Sequence, residues 1–199
     1  MERGCLSLMY SMLNDWYQPF DSLIHDLKVA TLREFSMRFT LLDQCYRTMQ
    51  TFKPEENRFV MHYGQYIDGD NMEYFFAENK DPEMLARMAI NIMVPCRRAT
   101  AKMRQMAIRD IEVAALAGII LWNEVGNLNV EDTDKIRNQI YTEIHNNMIL
   151  TYGVSGTGAR LGSLLGLLHD VDVIQKEISE SITIGKIFNP HHYEVWDDI

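Results

Sequence analysis

One short stretch constrains the fold of this chain more than any other, the apolar run VAALAGIILW at residues 113–122. Glu112 and Glu124 flank it. A helix that crosses a bilayer needs about 20 apolar residues, so this run is too short to span one. A helix that is apolar on all sides is usually buried. The run therefore predicts a helix through the centre of the protein.

Apolar residues recur at helical spacing along most of the remaining chain. Leu6, Met9, Leu13 and Trp16 mark a first helix, and Asp81-Pro82 is a typical helix start whose apolar stripe runs as far as Pro95. Two short β-prone runs around Gly64-Gln65 predict one hairpin. The glycine-rich segment YGVSGTG at 152–158 predicts a break before a last helix from about Ala159 to Ile184. We expect an all-α fold with one small hairpin, as a single domain over residues 1–199.

Composition excludes several classes of function. The net charge is -9, whereas a domain that grips nucleic acid is normally basic. The three cysteines, Cys5, Cys45 and Cys96, include no CxxC pair, so neither a zinc site nor a disulfide framework is indicated. We expect no direct contact with nucleic acid, no membrane span and no metal.

The motifs that usually carry catalysis do not occur, so we expect no enzyme. The segment GVSGTGARLG lacks the GxGxxG spacing and a strand–helix alternation, and we interpret it as a connection between helices. LGSLL at 161–165 fits an LxxLL motif, but its leucines also form a core stripe. The segment CRRATAKMRQMAIRD predicts a solvated basic face or, alternatively, a surface for an acidic partner. Thirteen methionines indicate either a loosely specified core or an adaptable cavity for an apolar ligand.

Five segments, in this order, resemble the ligand-binding domain of nuclear hormone receptors, especially the divergent nematode group. The segment PFDSLIHDLKVATLREFSMRFTLLDQCYRTM is similar to the signature that joins the third helix to the fourth and fifth. RFVMHYGQYID resembles the β-turn, IRDIEVAALAGIILWN the eighth helix, and GARLGSLLGLLHDVDVIQKEI the dimerisation helix. The tail VWDDI is similar to the activation helix.

The resemblance implies a three-layer helical sandwich that starts within the third helix, without the DNA-binding module and its two zinc sites. It implies a nuclear, and secondarily cytoplasmic, regulator of transcription that binds a small lipophilic ligand and no other cofactor. Its partners would be a coregulator helix of LxxLL type and a second nuclear receptor in a homo- or heterodimer. The alternative is a constitutive dimerisation or interaction module whose pocket is filled by side chains.

The resemblance also implies three sets of site residues. The ligand pocket would be lined by Met9, Met12, Leu13, Trp16, Phe35, Phe39, Phe59, Met61, Met88 and Ile92. The coregulator surface would comprise Lys28, Arg33, Val195, Trp196, Asp198 and Ile199. Arg33 matches the second basic position of the family's clamp, while Asp15 stands near the place of its first lysine. The dimer surface would include Arg160, Leu161, Leu164 and Leu168.

Overall fold

The computed structural model describes residues 3–78, 81–128 and 130–188. Seven α-helices lie in this part of the chain: α1 (Arg3–Trp16), α2 (His25–Thr51), α3 (Met72–Phe75), α4 (Pro82–Gln105), α5 (Asp110–Asn127), α6 (Thr133–Tyr152) and α7 (Val154–Phe188). Strands β1 (Arg58–Val60) and β2 (Tyr66–Asp68) form one small antiparallel sheet. The predicted all-α class with one small hairpin is confirmed.

The chain reverses direction at Gly64, where the sequence predicts the hairpin turn. Phe59 pairs with Ile67 in the middle of the sheet. Tyr63 and Gly64 have φ angles of 57° and 73°, the left-handed region that reverses the chain between the strands. The helix start predicted at Asp81 is also present, because its carboxylate accepts a hydrogen bond from the Met84 amide at 3.0 Å.

Two helix boundaries differ from the sequence-based expectation. Helix α4 continues through Pro95 to Gln105, and its second half buries Cys96, Ala99 and Met103. Burial of this face outweighs the hydrogen bond that proline cannot donate. The break before α7 is confined to Gly153, whose φ angle is 77°. Helix α7 therefore begins at Val154 instead of near Ala159, with Thr157 buried in its first turns.

The residues group into two compact units. Unit 1 contains the described chain up to Phe39 together with Asp110–Leu168, and unit 2 contains Thr40–Arg109 together with α7 from His169 onward. In unit 1, α5 packs along α6 and every residue from Leu116 to Trp122 is buried. The apolar run thus forms a buried helix of unit 1, and the predicted burial is confirmed.

Unit 2 has its own core. Leu41, Leu42 and Cys45 of α2 are buried in it, as are Phe59 and Val60 of β1 and Val171 and Ile174 of α7. No helix among the described residues combines the length and the apolar character that a membrane span requires.

Candidate functional site

A buried ion pair joins α5 to α7 in unit 1. Glu112 has no exposed surface, and the side chain of Arg160 is 12% exposed. Two nitrogens of the guanidinium, Nε and Nη2, donate to the two carboxylate oxygens at 2.8 and 2.6 Å. This bidentate hydrogen bonding raises the pKa of Arg160. The guanidinium also lies 5.0 Å from the Tyr152 ring. The charge of Arg160 is thus neutralised within the chain.

The acid at the other end of the apolar run is paired in the same manner. Glu124 is buried, and its Oε1 accepts a hydrogen bond from Arg38 of α2. Burial of a carboxylate requires such a partner, because a lone charge would lose its hydration without compensation. The sequence showed the two flanking glutamates, but it did not show that Arg160 and Arg38 are their partners.

An apolar cleft of ≈ 420 Å³ lies in unit 1 between the end of α1, helix α5 and helix α6. Trp16, which is 80% exposed, stands at this cleft together with Ile111 and Ile140. The helices approach closely at Gly118, where a Cβ atom would lie 3.1 Å from Cδ1 of Ile140. Burial raises the pKa of the neighbouring Tyr17 hydroxyl. The cleft can take an apolar group against its isoleucines, while Gln18, Gln139, Glu143 and Asn147 bring polar groups to the same lining.

The ten residues of the predicted ligand pocket are divided between the two units. In unit 1, Met9, Leu13 and Phe35 are buried, Met12 and Phe39 are half-buried, and Trp16 lines the cleft. The rings of Phe35 and Phe39 stack at 5.2 Å. In unit 2, Phe59 is buried, whereas Met61, Met88 and Ile92 are half-buried. Ile136, Ile140 and Ile144, which recur every four residues along α6, line the cleft but were not among the predicted pocket residues.

The coregulator residues fall into three groups. Arg33 is exposed on α2. Lys28 is held within unit 1, because its Nζ donates to Oδ1 of Asn14 at 2.8 Å and to the Asp21 carbonyl at 2.7 Å. Val195, Trp196, Asp198 and Ile199 lie outside the described residues.

The predicted dimer residues lie on α7, and the outer face beside them is formed by small residues. Leu164 is buried, and Leu161 and Leu168 are half-buried. Gly158, Gly162 and Gly166 recur every four residues, and a Cβ atom at any of the three would meet no other atom within 4 Å. The space around these three glycines is therefore open.

No cluster of three or more His, Cys, Asp or Glu side chains suited to a metal ion occurs among the residues that the structure describes. Cys45 and Cys96 are both buried in unit 2, and the Cys45 thiol donates to the backbone carbonyl of Cys96 at 3.7 Å. The neighbouring side chain of Cys45, together with burial, raises the pKa of Cys96. These two cysteines behave as core residues.

The chain is similar to two curated nuclear receptors at low identity. It is 24% identical over 196 residues to nuclear hormone receptor family member nhr-53 of Caenorhabditis elegans, covering 92% of this chain and 53% of that protein. It is 23% identical over 204 residues to the high zinc activated nuclear receptor protein of the same organism, covering 94% of this chain and 48% of that protein. The chain spans about half the length of these curated relatives.

The family model for the ligand-binding domain of nuclear hormone receptor matches residues 8–188. That range contains helices α2 to α7 in full and α1 from Leu8 onward. Because the match covers most of the chain, the protein belongs to the nuclear hormone receptor ligand-binding domain family.

Proposed function

We propose that this chain is the ligand-responsive regulatory domain of a nuclear transcription factor. It binds a small apolar ligand and recruits coregulators through a switch helix at its C-terminal end. The family match over residues 8–188 is the observation that carries this proposal. The proposal assigns no catalytic activity to the chain and treats residues 1–199 as one functional domain.

The ligand is proposed to be a small apolar molecule because the residues of the predicted ligand pocket are apolar. Methionine and aromatic side chains adapt to varied shapes, and small-molecule sites usually have volumes of about 300–1,000 Å³. Native mass spectrometry of the purified protein, before and after organic extraction, tests this step. A ligand-responsive domain retains a small organic molecule, and its thermal midpoint falls when that molecule is removed.

A constitutive interaction module is the second candidate, and one observation favours it. Leu13 and Phe35 have no exposed surface, and Phe35 already stacks on Phe39. If side chains fill the proposed pocket, the native mass equals the mass of the polypeptide and extraction leaves the thermal midpoint unchanged. That pair of results would replace the receptor proposal by the constitutive one.

Coregulator recruitment is proposed to depend on Arg33 and on the tail. Arg33 is exposed on α2 and matches the second basic position of the family's clamp, so it is proposed to hold one end of a partner helix. Asp198 is proposed to hold the other end, because opposite charges at the two ends complement a helix dipole.

Fluorescence polarisation with a labelled LxxLL peptide tests the recruitment step. Arg33→Ala and Asp198→Asn should each weaken peptide binding several-fold. The double variant should lose less binding free energy than the two single variants together, because both residues hold one helix. Arg47→Ala is the matched control, since Arg47 is also an exposed arginine of α2 but does not belong to the proposed coregulator surface. Equal losses in Arg33→Ala and Arg47→Ala would contradict a specific clamp.

Dimerisation is proposed to use the outer face of α7. A glycine inside a helix is about 0.5–1 kcal/mol less favourable than alanine, so three in one stripe suggest close approach by another backbone. Gly162→Gln places a long side chain in that stripe and should convert a dimer into a monomer in sedimentation experiments. Ser179→Gln, at an exposed position of the same helix, is the control. An unchanged dimer in Gly162→Gln would place the interface elsewhere.

A further inference from the structure

Unit 2 contains a cleft whose lining carries a large excess of positive charge. The cleft has a volume of ≈ 300 Å³ and is lined by five cationic side chains and one carboxylate, that of Glu56. The cationic side chains are Lys53, Arg58, Arg97, Arg98 and Arg104. The whole chain has a net charge of -9, so this concentration of positive charge runs against its overall composition.

The single carboxylate of the lining is already used. Glu56 accepts a hydrogen bond from Arg58 at 3.3 Å and another from the Lys53 backbone amide at 2.8 Å. Arg58 has a second carboxylate, Asp68, at 3.7 Å. The guanidinium of Arg58 also lies 5.2 Å from the centre of the Tyr66 ring. Arg58 is therefore neutralised and held in place by its neighbours.

Arg104 is oriented without being neutralised. Its Nη2 donates to the carbonyl oxygen of Phe52 at 2.8 Å and more weakly to that of Met49 at 3.4 Å. These carbonyls belong to the last turn of α2 and the residue that follows it, where a cation is favoured. They fix the guanidinium at the cleft but carry no full negative charge.

The remaining cations stand on two sides of the same recess. Arg97 and Arg98 are exposed on α4, and Lys53 follows the end of α2. Among the described residues, none of these three side chains forms an ion pair. Like charges held around one recess repel each other, and the repulsion decreases when an anion binds among them.

We propose that this cleft binds a small molecule that carries a phosphoryl group. Four of its five cations are arginines, whose planar guanidinium matches the oxygens of phosphate in bidentate hydrogen bonds. Four of the five cations have no carboxylate partner among the described residues, which suits a multiply charged anion better than a single carboxylate. The volume lies at the lower end of the range for small-molecule sites.

Inorganic pyrophosphate is the probe that tests this proposal. Isothermal titration calorimetry and thermal unfolding are performed on the full chain at constant ionic strength, with KCl replacing pyrophosphate in the reference samples. We expect saturable binding and a rise in the thermal midpoint beyond that in KCl. Arg97→Gln/Arg98→Gln should weaken binding by about tenfold or more, because hydrogen bonds to a charged group are lost.

The matched control removes the same charge from outside the cleft. Arg87→Gln/Lys176→Gln also lowers the net charge by two, and both side chains are exposed and form surface pairs within their own helices. Its affinity for pyrophosphate should equal that of the unchanged chain. Equal weakening in both double variants would show that net charge alone governs the binding and would overturn the site.

Two further results would also overturn the proposal. One is a thermal unfolding midpoint that is the same in pyrophosphate as in KCl of equal ionic strength. The other is tighter binding of a dicarboxylate such as succinate than of pyrophosphate, since the arginine geometry would then favour carboxylate. Because Arg97 and Arg98 are exposed, both variants are expected to fold, which circular dichroism verifies.

Discussion

The two units of this protein use arginine in opposite ways. In unit 1, Arg160 and Arg38 neutralise the buried carboxylates Glu112 and Glu124. In unit 2, arginines converge on an open cleft in which most of them have no carboxylate partner among the described residues. A buried charge needs a partner within the protein, whereas an exposed cation is hydrated and stays available to bind a ligand. The number of arginines in a segment thus says little about their role until their burial is known.

The largest expected effect comes from breaking the buried pair of unit 1. Glu112→Gln removes the carboxylate charge that neutralises the buried Arg160. We expect a loss of about 3–5 kcal/mol in the free energy of unfolding, measured by urea denaturation. Glu83→Gln is the control, because Glu83 forms an exposed pair with Arg87 and should cost at most about 0.5 kcal/mol.

The same pair can be removed as a whole. Glu112→Leu/Arg160→Met replaces both charges by apolar side chains and should lose far less stability than Glu112→Gln, since no lone charge remains. If the double variant is instead less stable than Glu112→Gln, the attraction between the two charges itself stabilises the unit.

A smaller loss of stability should distinguish Arg104 from the other cations of the unit 2 cleft. Arg104→Met removes the hydrogen bonds to the Phe52 and Met49 carbonyls, so we expect a loss of about 1–2 kcal/mol in urea denaturation. Arg98→Gln should change the stability by less than about 0.5 kcal/mol, because an exposed side chain of this kind has little structural role. Similar losses in both variants would mean that the cleft cations act as one structural group.

The smallest expected effect appears at high pH and belongs to unit 1. Burial raises the pKa of Tyr17 above its ordinary value of 10.0. Below pH 10 the hydroxyl is protonated in both states, and above it the unfolded chain releases its proton first. The contribution of Tyr17 to stability is therefore complete below pH 10 and declines as the pH rises from there towards the folded-state pKa.

Urea denaturation between about pH 9 and pH 11 measures this dependence. Tyr17→Phe should show a shallower decline than the unchanged chain, because phenylalanine has no proton to release. Parallel declines in the two proteins would assign the pH dependence to other groups. Tyr141→Phe, at a half-buried position of α6 in the same unit, serves as the control.

Much of the fold could be predicted because it depends on local patterns. The apolar run at 113–122, the hairpin at Gly64 and the helix start at Asp81 each report a preference of neighbouring residues, and all three are present. The boundaries at Pro95 and before α7 were wrong, because burial of one helix face outweighed the local preference of proline and glycine.

The sites were harder to predict for a different reason. Arg97, Arg98 and Arg104 were visible as one basic segment, but Lys53 and Arg58 reach the same cleft from another part of the chain. The partners of Glu112 and Glu124 stand 48 and 86 residues away in sequence. Helical periodicity carries no information about contacts at such separations.

The sequence by itself determined the helical class, the buried central helix and the family to which the chain belongs, since these follow from periodicity and from ordered motifs. Only the tertiary structure decided which charges are neutralised and which remain exposed. The physical reason is that a charge interacts with whatever lies within a few ångströms of it, and folding brings those neighbours from distant segments.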